Sequence, residues 1–262
     1  MRAVTTVAPS VAIVIPSFNE QARLGDTLRE VANLGRSRGS AISVVLADDG
    51  SSDGTVALAE AVARQEGLDL AVLRLPHKGK AGAVRSGMLH AATATAVEYL
   101  LMLDADNEIA VDQLAAVDWS GDPSTIYIGR RVGMVGDRHG VRPTLVRRLM
   151  STGMRVLSRL LLGLPFSDSQ CGFKLFPREL VGGLFGQQRS RGWVFDAEIL
   201  VIAARSGIAI SEVPVVWSPR GVSRVRPTAA VSSVFDLLAI AGRKITGAYK
   251  PVGGISVLSS RS

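Results

Sequence analysis

The fold is constrained most strongly by an alternation of short apolar runs and helical segments in the N-terminal half of the 262-residue chain. Four apolar runs have the length and composition of strands buried on both faces of a sheet: residues 11–15, 42–47, 70–75 and 99–103. Three segments between them repeat apolar residues at helical spacing: residues 20–34, 55–65 and 82–94. This order predicts an α/β fold with a mostly parallel sheet flanked by helices.

Beyond residue 128 the alternation loosens and helical patterns predominate, which predicts a C-terminal helical elaboration. Amphipathic or apolar helices are predicted at three places: residues 142–164, 195–206 and 229–245. Short strands are predicted at three other places: residues 126–128, a segment that ends with Leu175 and Phe176, and residues 208–216. Because no repeat, low-complexity tract or linker interrupts the chain, we expect one domain over residues 1–250 and a disordered tail over 251–262.

Acidic residues directly follow two of the predicted strands. Asp48 and Asp49 come after the second strand, and Asp104 and Asp106 come after the fourth, with Glu108 two residues further on. Ligands of such sheets bind beyond the carboxyl ends of the strands. Paired carboxylates there can hold Mg²⁺ or Mn²⁺ and leave positions open for phosphate oxygens. The same residues could instead cap the following helices, and their spacing alone leaves both interpretations open.

Several other classes of site are disfavoured by the sequence. The first strand is not followed by the glycine-rich turn of a dinucleotide site, and the Walker pattern is absent. A single cysteine, Cys171, excludes an intrachain disulfide. The three histidines do not have the spacing of zinc ligands.

The charge distribution argues against nucleic acid as a partner, although the net charge is +7. Residues 1–128 contain 10 basic and 16 acidic side chains, whereas residues 129–262 contain 20 and 7. A nucleic-acid-binding protein usually has no such acidic half. This polarity predicts two separate tasks on one scaffold.

Six motifs occur along the chain: VIPSFNE at 14–20, DDGSSDGT at 48–55, KGKAGAVRSGM at 78–88, LDAD at 103–106, DSQCGFK at 168–174 and WVFDAE at 193–198. In this order they resemble the motifs of glycosyltransferase family 2, and the resemblance extends from about residue 11 to about residue 245. The last two are similar to the branch that contains dolichyl-phosphate β-glucosyltransferases, next to dolichyl-phosphate mannose synthases.

The resemblance implies a GT-A fold and an inverting transfer of a hexose from a nucleotide sugar to a polyprenyl or dolichyl phosphate, with Mg²⁺ or Mn²⁺ as the cofactor. UDP-glucose is the expected donor. Two alternatives stay open. One is a GDP-mannose-dependent polyprenyl-phosphate mannosyltransferase, and the other is a family 2 enzyme with a water-soluble acceptor.

The resemblance also implies roles for individual residues. The expected donor-binding residues are Pro16, Glu20, Asp48, Asp49, Lys80, Arg85 and Asp104. The expected metal ligands are Asp104, Asp106 and Glu108, although the mannose synthase pattern often has Gln at the place of Glu108. The expected catalytic residues are Asp106, Arg130 and Asp168. Of Asp196 and Glu198 we expect at most one to face the site, because residues two apart do not share a helix face.

The expected acceptor requires cations rather than a base. A lipid monophosphate is already anionic at neutral pH, so it needs no strong general base, but it must be held close to a negatively charged donor. Four arginines of the basic half are expected to hold it: Arg130, Arg147, Arg220 and Arg224. For each arginine the alternative is a place on a solvated surface.

The sequence contains no run of about 18 apolar residues, the length that a membrane span needs. We therefore expect a cytoplasmic protein that is peripheral on the cytoplasmic membrane face, with residues 142–164 or 229–250 in contact with the headgroups. The alternative is that both segments pack on the sheet. Besides the lipid and the membrane surface, expected partners are a membrane protein or a second copy of the chain. Cys171 is expected to pack in the core. Trp193 is also expected there, with stacking on a sugar as the alternative.

Overall fold

The computed structural model describes residues 8–39, 41–134, 153, 156–166, 168–218 and 227–253. Arg147, Arg220 and Arg224 lie outside these residues, as does most of the helix predicted over 142–164. The predicted tail lies outside them from residue 254 onwards.

One seven-stranded sheet runs through the molecule, in the strand order β3-β2-β1-β4-β6-β5-β7. The strands are β1 (Val11–Ser17), β2 (Ser43–Asp48), β3 (Asp69–Arg74), β4 (Tyr99–Leu103), β5 (Ile126–Met134), β6 (Phe173–Pro177) and β7 (Ile210–Trp217). β1 is parallel to β2 and β4, β2 to β3, and β5 to β7. β6 is antiparallel to both of its neighbours, β4 and β5. The predicted mostly parallel sheet is confirmed.

Helices cover both faces of the sheet. They are α1 (Leu24–Arg38), α2 (Thr55–Glu66), α3 (Lys80–Ala94), α4 (Arg178–Gly186), α5 (Phe195–Arg205) and α6 (Pro227–Ile245), with a short 3₁₀ helix over Val111–Ala116. The apolar sides of α1, α2 and the 3₁₀ helix pack on one face. Those of α3, α4, α5 and α6 pack on the other. Residues 156–162 are also helical.

Local chemistry explains where the elements differ from their predicted bounds. α1 begins at Leu24 rather than at residue 20, because the backbone of Arg23, with φ of −129°, departs from helical geometry. α4 is not predicted, since its sequence RELVGGLFG has the glycine content of a loop. β5 continues six residues beyond the predicted strand because it pairs with β7 along its length.

The topology brings several distant segments to one edge of the sheet. The carboxyl ends of β1, β2 and β4 lie there, and because β6 is antiparallel to β4, its first residue, Phe173, is level with Leu103 at the end of β4. This edge therefore combines the acidic motifs with residues 168–174. Within the part of the chain that the structure describes, no helix has both the length and the apolarity needed to cross a membrane.

Candidate active site

The centre of the site is the loop that follows β4. Asp104 is the first residue of this loop, and its Oδ1 lies 2.5 Å from Nζ of Lys80, the first residue of α3. Burial alone would raise the pKa of Asp104, but the positive charges of Lys80, Lys174 and Arg131 lower it below its ordinary value. Asp104 is thus held as an anion by its surroundings.

Gly172 makes room for the Asp104 carboxylate. The backbone N–H of Asp104 donates to the Gly172 carbonyl at 3.2 Å. A Cβ on residue 172 would lie only 2.1 Å from Asp104 Oδ2, which no side chain can do without displacing the carboxylate. The glycine of the DSQCGFK motif is therefore needed for the position of the Asp104 carboxylate in the LDAD motif.

We expect Gly172→Ala to reduce transferase activity by roughly 100-fold, the effect of a misplaced reacting group, because the carboxylate must rotate away. Steady-state kinetics under saturating metal measures the loss. The matched control is Gly182→Ala in α4, where an added Cβ meets nothing within 4 Å and alanine favours the helix. Full activity in Gly172→Ala would show that the position of Asp104 is unimportant.

Asp106 lies close to two other carboxylates, those of Asp104 and Glu108. Burial and the neighbouring carboxylates of Asp104 and Glu108 raise its pKa to about 6. The ionised form of Asp106 is therefore disfavoured without a cation, and two neighbouring carboxylates offer the hard oxygen atoms that Mg²⁺ or Mn²⁺ prefers. Asp104 and Asp106 are the residues that would hold the ion.

Glu108 contacts a residue outside the acidic loop. Its Oε2 accepts a hydrogen bond of 2.7 Å from Nε1 of Trp217. Among the described residues, no three His, Cys, Asp or Glu side chains come close enough together to hold a metal ion. A cation bound by Asp104 and Asp106 would thus complete its shell with water and phosphate oxygens, which is a common arrangement for Mg²⁺.

A buried ion pair lies behind this loop. Lys174 is 1% exposed, and its Nζ lies 3.0 Å from Asp196 Oδ1 and also donates to the Cys171 carbonyl. Burial raises the pKa of Asp196, whereas Lys174 and Lys80 oppose that rise. Lys174 was not singled out from the sequence. A lysine in a short strand of otherwise apolar residues would have indicated a buried charge that needs a partner.

Glu198, two residues after Asp196, performs a different task, as expected from the helix geometry. Its buried carboxylate accepts the backbone N–H groups of Arg189 and Ser190 at 2.9 and 2.6 Å and the Tyr249 hydroxyl at 2.7 Å. It thereby fixes the loop that leads to Trp193. Trp193 is 40% exposed, so the prediction that it fills the core is wrong. Lys80 Nζ lies 5.8 Å from the centre of its ring.

Asp168 is bound by an arginine that sequence reasoning passed over. Arg131 donates to both carboxylate oxygens, at 2.5 and 2.8 Å. Arg130, its neighbour in β5, contacts Glu212 instead, with Nε 3.6 Å from Oε2. Adjacent strand residues point to opposite faces, so only Arg131 reaches Asp168. Of the four arginines expected to hold the acceptor, Arg130 is the one that the structure describes.

The acids after β2 organise the neighbouring loops. Asp48 accepts the Ser51 N–H at 3.1 Å, and Asp49 accepts the N–H groups of Lys78 and Gly79, each at 2.8 Å. A cleft of about 370 Å³ lies beside Asp48, and Arg74 is among the residues that line it. The role of both acids in nucleotide binding stays a prediction.

The other residues expected to bind the donor make contacts within the protein. Pro16 is buried within β1, and Glu20 forms an ion pair of 2.8 Å with Arg23. Arg85 caps the C-terminal end of α4 by donating to the Phe185 carbonyl at 2.9 Å. Phe18 was not singled out, yet its ring stacks on His77 with centroids 4.2 Å apart. An aromatic residue directly after the first strand was the signal.

Cys171 is packed, as expected. It is buried, and burial raises the pKa of its thiol to about 11. Such a thiol is not ionised at neutral pH, so Cys171 is not a nucleophile.

The architecture is that of a GT-A glycosyltransferase. Solved structures of glucosyl-3-phosphoglycerate synthase from Mycobacterium tuberculosis share this fold. The complex with phosphoglyceric acid has a TM-score of 0.63 at 18% identity and covers 92% of this chain and 86% of that one. The complex with Mn²⁺, UDP-glucose and phosphoglyceric acid has a TM-score of 0.61 at 18% identity, with the same coverage of both chains.

The chain belongs to glycosyl transferase family 2, whose sequence profile matches residues 12–185. It is 32% identical over 249 residues to a dolichyl-phosphate β-glucosyltransferase of Trichomonas vaginalis, covering 92% of this chain and 75% of the relative. It is 29% identical over 256 residues to the Homo sapiens dolichyl-phosphate β-glucosyltransferase, covering 92% of this chain and 77% of the relative. The protein is therefore a glycosyltransferase, as expected from its motifs.

Proposed function

We propose that the protein transfers glucose from UDP-glucose to a polyprenyl or dolichyl phosphate, with inversion at the anomeric carbon. The observation that carries this proposal is the Asp104–Asp106 pair, which faces Lys80 at the carboxyl edge of the sheet. The chain is also about a third identical to dolichyl-phosphate β-glucosyltransferases. We further propose that residues 1–250 act as one catalytic domain, since a single sheet takes strands from both halves.

The chemistry is a direct displacement. A phosphate oxygen of the lipid attacks the anomeric carbon of glucose, the bond from that carbon to the diphosphate breaks, and UDP leaves with the electron pair. Because the attacking oxygen is already anionic, no proton has to be removed. The protein must align the two phosphates and offset their charges.

The residues divide this work between them. A divalent cation held by Asp104 and Asp106 would neutralise the departing diphosphate. Lys80 Nζ lies 2.5 Å from Asp104 Oδ1, and we propose that Lys80 contacts the donor. Arg130, with Arg147, Arg220 and Arg224, is proposed to hold the acceptor phosphate, and Asp168 to orient a reacting group.

The donor nucleoside is proposed to bind near the end of β2. Asp48 and Asp49 remain the proposed contacts to the base and the ribose. Pro16, Glu20 and Arg85, which belong to the neighbouring motifs, are also proposed to bind the donor. The half-exposed Phe18 ring stacked on His77 offers a flat apolar surface to a base.

A radiochemical assay with extracted lipid product tests the proposal. Purified protein is given UDP-glucose or GDP-mannose, and polyprenyl phosphate or 3-phosphoglycerate, each with Mn²⁺ or with EDTA. We expect lipid-linked glucose only from UDP-glucose, polyprenyl phosphate and Mn²⁺, and the anomeric proton coupling of the product reports the inversion. A mannosyl lipid or a water-soluble product would select one of the two alternatives instead.

We propose that the protein is peripheral on the cytoplasmic face of a membrane. Exposed apolar side chains occur on the helix over residues 156–162 and on α6. These two helices are in contact, because Lys244 of α6 donates to the Leu162 carbonyl at 2.6 Å. The exposed side chains are Val156, Leu160, Phe235, Leu238 and Ile245. The basic C-terminal half suits an anionic leaflet. A membrane protein or a second copy of the chain is a further proposed partner.

We expect the double variant Phe235→Ser/Leu238→Ser to bind vesicles containing anionic lipid at least about tenfold more weakly, because two apolar side chains lose their place in the interface. Co-sedimentation with such vesicles measures the partition. Val132→Ser is the matched control, because Val132 is 50% exposed on β5. Equal binding of both variants and the parent would place the membrane contact elsewhere.

A further inference from the structure

The acidic loop after β4 is attached to the end of β7 by a set of hydrogen bonds. The Ser218 N–H donates to the Glu108 carbonyl at 2.8 Å, and Trp217 Nε1 donates to Glu108 Oε2 at 2.7 Å. Gln113 adds two more bonds, from its amide nitrogen to the Val216 carbonyl at 2.8 Å and from the Val216 N–H to its amide oxygen at 2.5 Å. The loop and the last residues of β7 therefore form one connected unit.

Trp217 connects this unit to a second pair of charged residues. The guanidinium carbon of Arg131 lies 5.6 Å from the centre of the Trp217 ring, within the range of a cation–π contact. Arg131 in turn holds Asp168 through both carboxylate oxygens. One indole ring thus contacts both the acidic loop and the Arg131–Asp168 pair.

The neighbours of Glu108 and Trp217 give this contact its significance. Asp106, proposed to hold the donor's cation, lies two residues before Glu108. The Trp217 ring contacts Arg131, which holds Asp168, proposed to orient a reacting group. A bond between Glu108 and Trp217 consequently joins the segment proposed to hold the donor's cation to the Arg131–Asp168 pair. Displacement at the anomeric carbon depends on the separation of those two groups.

We propose that Glu108 and Trp217 are positioning residues that set this separation, and that Glu108 acts through the indole N–H rather than as a third metal ligand. This inference rests on the proposed function. It departs from the metal-binding role that the sequence motif suggests for Glu108.

Four variants test the inference: Trp217→Phe, Glu108→Ala, the double variant and Glu108→Gln. Phenylalanine keeps an aromatic ring beside Arg131 but lacks the N–H donor, and glutamine keeps an oxygen acceptor without the charge. We expect Trp217→Phe and Glu108→Ala each to lower kcat/KM for polyprenyl phosphate by roughly 10- to 100-fold, the loss of a hydrogen bond to a charged group. The double variant should be no worse than either single variant, and Glu108→Gln should recover most of the activity.

The binding of Mn²⁺ in the presence of UDP, followed by electron paramagnetic resonance without any acceptor, separates positioning from ligation. We expect the dissociation constant of Mn²⁺ to change by less than about threefold in all four variants, since the loss of even a residue that orients a metal ligand costs roughly 10-fold or more. Weaker Mn²⁺ binding in Glu108→Ala with normal binding in Trp217→Phe would overturn the inference and restore Glu108 as a ligand. Independent, additive losses in the double variant would also overturn it.

Trp119→Phe is the matched control, because Trp119 packs between Tyr99 and Tyr127 with ring centroids 5.2 and 5.4 Å away. It should leave kcat/KM unchanged, and thermal unfolding of every variant separates a local effect from loss of the fold. If the parent protein transfers no sugar to any acceptor, the proposed function fails. The Mn²⁺ titration would still decide whether Glu108 is a ligand.

Discussion

Asp106→Asn is expected to abolish glycosyl transfer, with a loss on the order of 10³-fold, and at the same time to stabilise the metal-free protein. Under the proposed function, activity falls because the amide is a poor ligand for a hard cation, so the charge of the leaving diphosphate would no longer be offset. Stability rises because the ionised carboxylate is unfavourable where it lies. Its pKa is raised to about 6 by burial and by Asp104 and Glu108.

The sign of the stability effect follows from that pKa. A carboxyl group whose pKa is higher in the folded chain than in the unfolded chain destabilises the fold once it is ionised. The neutral asparagine removes a penalty of about 1–3 kcal/mol at pH 7.5. The gain should be complete above about pH 6 and vanish below about pH 4, where the parent carboxyl group is protonated in both states.

Thermal unfolding in EDTA, compared at pH 7.5 and pH 4, measures the gain. Added Mn²⁺ with UDP should then raise the melting temperature of the parent but not of Asp106→Asn, since only the parent binds the ion in its native state. Asp112→Asn, in the 3₁₀ helix, is the control for a carboxylate outside the pair. An inactive variant that is also less stable would mean that Asp106 is a structural residue.

Lys174→Met is expected to destabilise the protein by about 3–5 kcal/mol, the cost of breaking a buried ion pair from one side. Methionine fills a similar volume but leaves Asp196 buried without its nearest cation. Lys80 also stabilises the ionised form of Asp196. We therefore expect Lys80 to be drawn from Asp104 towards Asp196, which adds a loss of activity to the loss of stability.

Denaturant unfolding measures this effect, and a second variant separates charge from packing. Lys174→Met/Asp196→Leu removes both charges and should recover most of the stability, because an apolar pair can replace a buried ion pair. Arg29→Met provides the surface control, since the Arg29–Asp26 pair is exposed and its loss should cost less than about 0.5 kcal/mol. Equal destabilisation by the single and the double variant would contradict the role of the ion pair.

The parts of the fold that sequence reasoning predicted are those with a strong local pattern. β1, β2 and β4 are nearly all apolar and buried on both faces, and they occur within two residues of their predicted bounds. The acidic residues at their ends followed from the rule that ligands bind beyond the carboxyl ends of parallel strands. α4 was missed because glycines obscured a short helix whose stability comes from packing.

The partners of the site residues could not be predicted, because they depend on pairings between distant segments. Asp168 was singled out, but Arg131, 37 residues away, meets it only because β5 and β6 are neighbours. Trp217 and Glu108 are 109 residues apart in sequence. No local pattern encodes such contacts, since they follow from the strand order.

The antiparallel direction of β6 has a consequence for the synthesis of the chain and for its truncation. β6 is synthesised after β5, yet it lies between β4 and β5, where its five residues join the two parts of the sheet. A nascent chain or a fragment ending at residue 134 would leave the edges of β4 and β5 unpaired, and unpaired edges template association between molecules. The strands proposed to bind the donor are therefore not a separable module, and a fragment confined to them should aggregate rather than bind nucleotide.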